Sequence, residues 1–172
     1  LGFWLLAQAD IALARHYLEP EEAGFYSSAG LLARALLVLP AAVALVAFPR
    51  FVSARESGEG AAHWLRASVL AGGALVLGGF TFLVPIRGFL VELTFGERYA
   101  PAADLMPLLC LAMAALGLVG LLTYFHIAMG SKAYVIPLAG LGAETVPAAF
   151  FHSSGEGIAT VVAAVAVEVL VT

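Results

Sequence analysis

The chain has 172 residues, of which 62% are hydrophobic and 12% charged, with a net charge of -4 and a mean hydropathy of +1.00. Soluble domains run nearer to roughly half apolar and a quarter charged, and here the excess comes in blocks, so a soluble fold is excluded and a bilayer protein is expected. No basic run points to nucleic acid, and the lone cysteine, Cys110, rules out a disulfide or thiolate metal site within one chain.

The apolar blocks predict six membrane helices, over approximately 1–18, 27–49, 67–90, 104–129, 133–152 and 157–172. A helix rises about 1.5 Å per residue, so about 20 residues cross the hydrocarbon layer. The middle four blocks meet that length. The outer two begin and end inside apolar runs, which predicts an internal fragment of a longer chain. Residue 1 has no basic stretch before it and Asp10 interrupts the first block, so a signal peptide is not expected. A membrane barrel needs alternating polarity, which these blocks lack.

The connections are read as follows. The stretch 15–26 carries Glu19, Glu21 and Glu22, and 50–66 carries three arginines around a Ser- and Gly-containing loop. After Pro85, Ile86, Phe89, Leu90 and Leu93 share one helical face. That pattern fits either a short helix lying in the membrane interface or an extension of the third block. Counting only Lys and Arg, the second and fourth connections hold four and the others three. The loop at 53–60 is taken as cytoplasmic.

Motifs of soluble enzymes, such as a phosphate loop, a zinc-binding HExxH pair or a nucleophile elbow, do not occur in the chain. Neither a cofactor nor a metal is expected, and the chain is read as a non-enzyme. The informative residues are charges inside the apolar blocks, which cost roughly 2.5–3.5 kcal/mol each on insertion scales. These are Asp10, Arg34, Glu144 and Glu168. Arg34 either offers its planar fork of donors to an anionic headgroup, snorkels to the interface, or pairs with Asp10. Asp10 is a proton or cation site, the partner of Arg34, or a structural hydrogen-bond acceptor. Glu144 is a coupling group or a protonated structural acid. His126 reads as an interface hydrogen-bonder and Cys110 as a small buried apolar residue. Gly72–Gly73, Gly78–Gly79 and Gly117 with Gly120 would let helices approach closely, and Pro40 and Pro147 fall inside blocks.

Several stretches resemble a known family. Asp10 to Arg15, followed by Glu22-Ala23-Gly24-Phe25-Tyr26-Ser27-Ser28-Ala29, is similar to a "D…L…(E/V)-(A/V)-G-x-Y-x-x-A" pattern of Wzx-type polysaccharide flippases. These belong to the multidrug/oligosaccharidyl-lipid/polysaccharide exporter superfamily. Phe95-Gly96-Glu97-Arg98-Tyr99 and the following alanines resemble its "F-G-x-x-Y-x-x-A" stretch. Phe48-Pro49, Ala128 to Lys132, and Gly155 to Thr160 resemble further pieces, in family order. Departures fall in the fifth block, where Glu144 replaces a frequent Asn and 152–154 replaces a Pro.

The resemblance implies an all-α integral membrane protein, with these six helices forming the second lobe of a two-lobe transporter whose N-terminal lobe precedes them. It implies alternating-access flipping of a lipid-linked oligosaccharide across a bacterial inner membrane, with membrane lipids as its surroundings. Arg34 is expected to attract the headgroup, Asp10 to bind or couple, and Glu144 to couple. The alternatives are a drug or cation antiporter of the same superfamily, a membrane enzyme acting on lipid-linked sugars, and a structural membrane subunit.

Overall fold

The computed structural model describes residues 8–132 and 155–171. Among these residues every regular element is helical: α1 (Ala9–Tyr17), α2 (Pro20–Ser57), α3 (Ala61–Leu83), α4 (Arg87–Phe95), a 3-10 turn (Glu97–Tyr99), α5 (Ala102–Ala128) and α6 (Gly155–Val171). Three of them, α2, α3 and α5, are long and apolar enough to cross a membrane. The helix expected over 133–152, and with it Glu144 and Pro147, lies outside the described residues.

Helix α2 outgrows its expected bounds of 27–49 at both ends. At its start Pro20 occupies the first turn, where its missing N–H costs nothing, and Glu21 and Glu22 face the positive end of the helix dipole. The connection predicted over 15–26 therefore shrinks to Leu18 and Glu19. At its end the helix continues through Pro49, because Phe51 and Ala54 are buried. Phe51 meets the Phe125 ring edge-on at 5.1 Å, and that tertiary contact pulls the supposed loop into helix. The reversal to α3 is made by Gly58 and Gly60, both in the left-handed region with φ of 75° and 79°.

The third helix begins at Ala61 and stops at Leu83, short of the expected 90. Pro85 has no N–H to continue the ladder. The Arg87 guanidinium then donates to the Val84 carbonyl at 3.0 Å, covering one of the orphaned acceptors. The pattern after Pro85 thus forms a separate short helix, α4. It turns Val91 into the bundle and leaves Phe89 and Leu93 exposed.

The bundle is organised around α5, of whose apolar window 67% is buried against 17% for α3. Helix α5 packs along α2 and α6, with α3 on the outside of the α2–α5 pair. The core holds Tyr26, Leu36, Met106, Leu109, Met113, Leu116 and Ile158. The small residues decide how near the helices come. A β-carbon added at Gly117 would lie 3.0 Å from Pro40 Cγ and 3.1 Å from the Leu37 carbonyl oxygen. Of each expected glycine pair on α3, only one member faces a neighbour. A β-carbon at Gly72 would meet Leu121 at 3.2 Å and one at Gly79 would meet Leu36 at 2.5 Å, whereas Gly73 and Gly78 face open space. Outward, α2 and α3 expose Leu31, Val38, Leu45, Val46, Leu70, Leu77 and Phe82. Water would penalise so large an apolar surface, and lipid would not.

Helix α5 ends in a Schellman turn. The Gly130 N–H donates to the Ile127 carbonyl and the Ser131 N–H to the His126 carbonyl, both at 3.0 Å. Gly130 has φ of 65°, and a β-carbon there would sit 2.7 Å from the Arg55 guanidinium, which lies over this negative end of the helix. Gly130→Ala is expected to cost about 1–2 kcal/mol, from the left-handed backbone and the displaced guanidinium. A denaturant titration in mixed micelles measures it, and an unchanged midpoint would remove Arg55 as a cap.

Candidate functional site

Helices α1 and α2 run antiparallel across the tight link at Leu18–Glu19, which brings Asp10 level with Tyr26 along α2. Tyr26, Gly30 and Arg34 follow at four-residue spacing on one face. Arg34 starts about 12 Å beyond Tyr26 along the axis, and helical side chains lean toward the N-terminus, so the guanidinium reaches back toward Asp10. Gly30 makes room for it: a β-carbon there would be 2.8 Å from Arg34 Nη1.

The outcome is a buried ion pair. Arg34 Nη2 lies 2.7 Å from Asp10 Oδ1, with the arginine side chain 12% exposed and the aspartate 2%. The Tyr26 hydroxyl donates to the other oxygen, Oδ2, at 3.3 Å. The short distance marks a charge-assisted bond, stronger than a neutral one. Arg34 also sits within a turn of the midpoint between Glu22 and Arg50, the charges that bound the apolar part of α2. Of the alternatives open in the sequence, pairing with Asp10 is the one realised in this state. Snorkelling is not, because the guanidinium is inside the bundle.

A cavity of about 600 Å³ lies against the first turns of α2, lined by Arg15, Gly24, Ser27, Leu31, Phe95 and Tyr99 among others. Ser27 and Arg34 are seven residues apart, so both start from one face of α2, although Arg34 itself does not line the cavity. Ser27 Oγ is buried and makes no hydrogen bond among the described residues. The two longest stretches behind the family resemblance meet at this cavity. Gly24 and Phe25 pack on Tyr99, whose ring lies edge-on to Phe25 at 5.8 Å.

Other sequence candidates fall elsewhere. Glu144 lies outside the described residues, and Glu168 is within α6 but its side chain is not described. His126 is in the last turn of α5, and Cys110 is a buried free thiol in the core. Of the acids of the first connection, Glu21 and Glu22 lie in the first turn of α2 rather than in a loop. Glu22, Asp104 and Glu156 each stand in the first turn of a helix, α2, α5 and α6, where three positive dipole ends converge. No group of three or more possible metal ligands forms among the described residues.

Tyr26, Ser27, Arg15 and Tyr99 were not among the expected site residues. Counting back from Arg34 in steps of four would have reached Tyr26, and a step of seven reaches Ser27. Nothing local in the sequence brings Arg15 or Tyr99 to the same cavity, since that depends on how α1 and the 3-10 turn pack against α2. No protein-family model, curated protein or solved structure matches the chain.

Proposed function

We propose that this chain is one six-helix lobe of a two-lobe, multi-pass transporter that flips a lipid-linked oligosaccharide across the bacterial inner membrane by alternating access. The observation that supports this reading is the Asp10–Arg34 pair, held at mid-depth of the apolar helix α2. Ionisable groups at that depth are costly and belong to substrate or ion pathways by default. The sugar head of the substrate is too polar for hydrocarbon, so the transporter must offer it a hydrated, partly cationic chamber open to one side at a time, while the lipid tail stays in the bilayer.

In the mechanism, Asp10 holds the guanidinium of Arg34 when no substrate is bound. An entering pyrophosphate presents more acceptor oxygens and more charge than one carboxylate, and competes for the same N–H donors. Release of Asp10 frees a buried carboxylate to take a proton or cation, which couples headgroup binding to an ion. The missing N-terminal lobe would supply the opposite wall, and α4, with Phe89 and Leu93 outward, would lie in the interface. In this reading the Ser- and Gly-containing α2–α3 reversal would face the cytoplasm, with the Lys and Arg count leaning the same way by only one residue. A drug or cation antiporter would use Asp10 as a vacant acid, and an aspartate already bound to arginine fits that poorly.

The test is complementation of a flippase-deficient strain with the full-length protein. Arg34→Ala is expected to lower glycan export at least about tenfold, Arg34→Lys less, since lysine keeps the charge but loses the fork. Because Arg34→Ala leaves the buried Asp10 carboxylate without the arginine's charge, Asp10→Asn/Arg34→Ala serves as the second variant. Its membrane level is expected to match the parent while export stays low. Normal export by either variant at normal level would overturn the assignment.

A further inference from the structure

A second cavity lies on the opposite side of α2, between α2 and α3. It has a volume of about 450 Å³, with walls of Val43, Val46, Ala67 and Ala71, and Arg50 and Trp64 at one end. Arg50 is sixteen residues from Arg34, which is about 160° around the helix and roughly 24 Å along it, so this groove is separate from the buried pair. Val46 is exposed, so the groove opens outward, on the apolar surface that lipid would cover.

Its chemistry is divided by position. Along the two apolar helices it is lined by alanines and valines with Ser68 the one hydroxyl among them, which suits a hydrocarbon chain. At the end nearest the Gly58–Gly60 reversal, the Arg50 guanidinium stacks over the Trp64 ring, with Cζ 4.3 Å from the ring centroid. Stacking occupies the face of the guanidinium and leaves its in-plane N–H donors available to an acceptor. Arg50 forms no ion pair with a carboxylate among the described residues, whereas Arg55, one turn on, lies over Gly130. Tryptophan and arginine together at the end of a span mark the headgroup level of a bilayer.

We infer that this groove binds one anionic glycerophospholipid, an acyl chain lying between α2 and α3 and the phosphate on the Arg50 guanidinium. The volume is within the range of roughly 300–1,000 Å³ that ligand sites occupy. A zwitterionic lipid could fill the same groove, but its ammonium would stand against Arg50. An anionic headgroup has no such repulsion, so the site discriminates by charge. The inference needs only that α2 and α3 lie in a bilayer, and it does not depend on what the protein transports.

Trp4 and Trp64 are the two tryptophans, so Trp4→Phe leaves Trp64 as a single reporter at the groove mouth. The full-length protein, carrying no other tryptophan, is reconstituted in vesicles of equal parts phosphatidylglycerol and phosphatidylcholine, with either lipid brominated on its acyl chains. Brominated phosphatidylglycerol is expected to quench Trp64 with roughly fivefold higher apparent affinity than brominated phosphatidylcholine, the factor one arginine near an anionic surface supplies. Arg50→Gln should bring the two lipids to parity, while Arg66→Gln, exposed on α3 outside the groove, should leave the preference intact. Ala67→Phe, which fills the groove, should weaken quenching by both. Equal quenching in the parent would overturn the proposal. So would absence of quenching by either lipid, because protein, from another segment or a second copy, would then cover the groove.

Discussion

Asp10→Ala is expected to destabilise the chain by about 3–5 kcal/mol, because it breaks a buried ion pair by removing one of its members. The arginine is only 12% exposed, lodged in the space that Gly30 leaves, so little of it already meets the surroundings of the bundle. Removing both charges should behave differently. Asp10→Leu/Arg34→Met replaces the pair by apolar groups of similar size, and such replacements of buried pairs range from neutral to stabilising. The double variant is therefore expected within about 1 kcal/mol of the parent or above it. Unfolding midpoints in mixed micelles, measured for the two single variants and the double, give the coupling energy directly. A single-variant cost below about 1 kcal/mol would mean that the pair is solvated and that the pathway argument built on it fails.

The second large effect belongs to Gly117. Its α-carbon faces the Pro40 ring and the Leu37 carbonyl, at distances a side chain cannot share. Neither neighbour has a rotatable bond with which to withdraw, since one is a ring and the other is backbone. Gly117→Leu must then separate α2 from α5 along the principal contact of the bundle, and the expected cost is about 3 kcal/mol, the upper part of the usual range for overpacking. Gly117→Ala should cost less, because a shift of a few tenths of an ångström accommodates one methyl group. Gly73→Leu and Gly78→Leu are the internal controls. They face open space, so they are expected to be neutral or to gain up to about 1 kcal/mol of helix propensity. If Gly73 and Gly78 proved as sensitive as Gly117, the packing arrangement of α3 outside the α2–α5 pair would be wrong.

These two predictions also mark where sequence reasoning reached and where it stopped. The helical character and the positions of α2, α3 and α5 follow from one-dimensional information, because apolar blocks of about 20 residues have few other solutions. That Asp10 and Arg34 are charges inside apolar blocks was likewise readable, since such a charge stands out against its neighbours. The boundaries were not. Pro49 looked like an end, yet the helix continues because Phe51 and Ala54 find a buried surface on α5, and no local pattern records that surface. The break at Pro85 left two options open along the chain, and the fold has α3 stop at Leu83 and a separate helix start at Arg87.

The site divides in the same way. Tyr26, Gly30 and Arg34 lie on one helix face by arithmetic alone, so most of the arginine's surroundings are written in the spacing of α2. That Asp10 rather than water receives the guanidinium depends on the antiparallel return of α1. Which glycine of each pair touches a neighbour depends on the rotation of α3 about its own axis. Composition and periodicity determine which residues share a helix and which must leave water, because those are properties of consecutive residues. Pairing, helix rotation and the true ends of helices are set by contacts between segments distant in the chain, and so only the tertiary structure decides them.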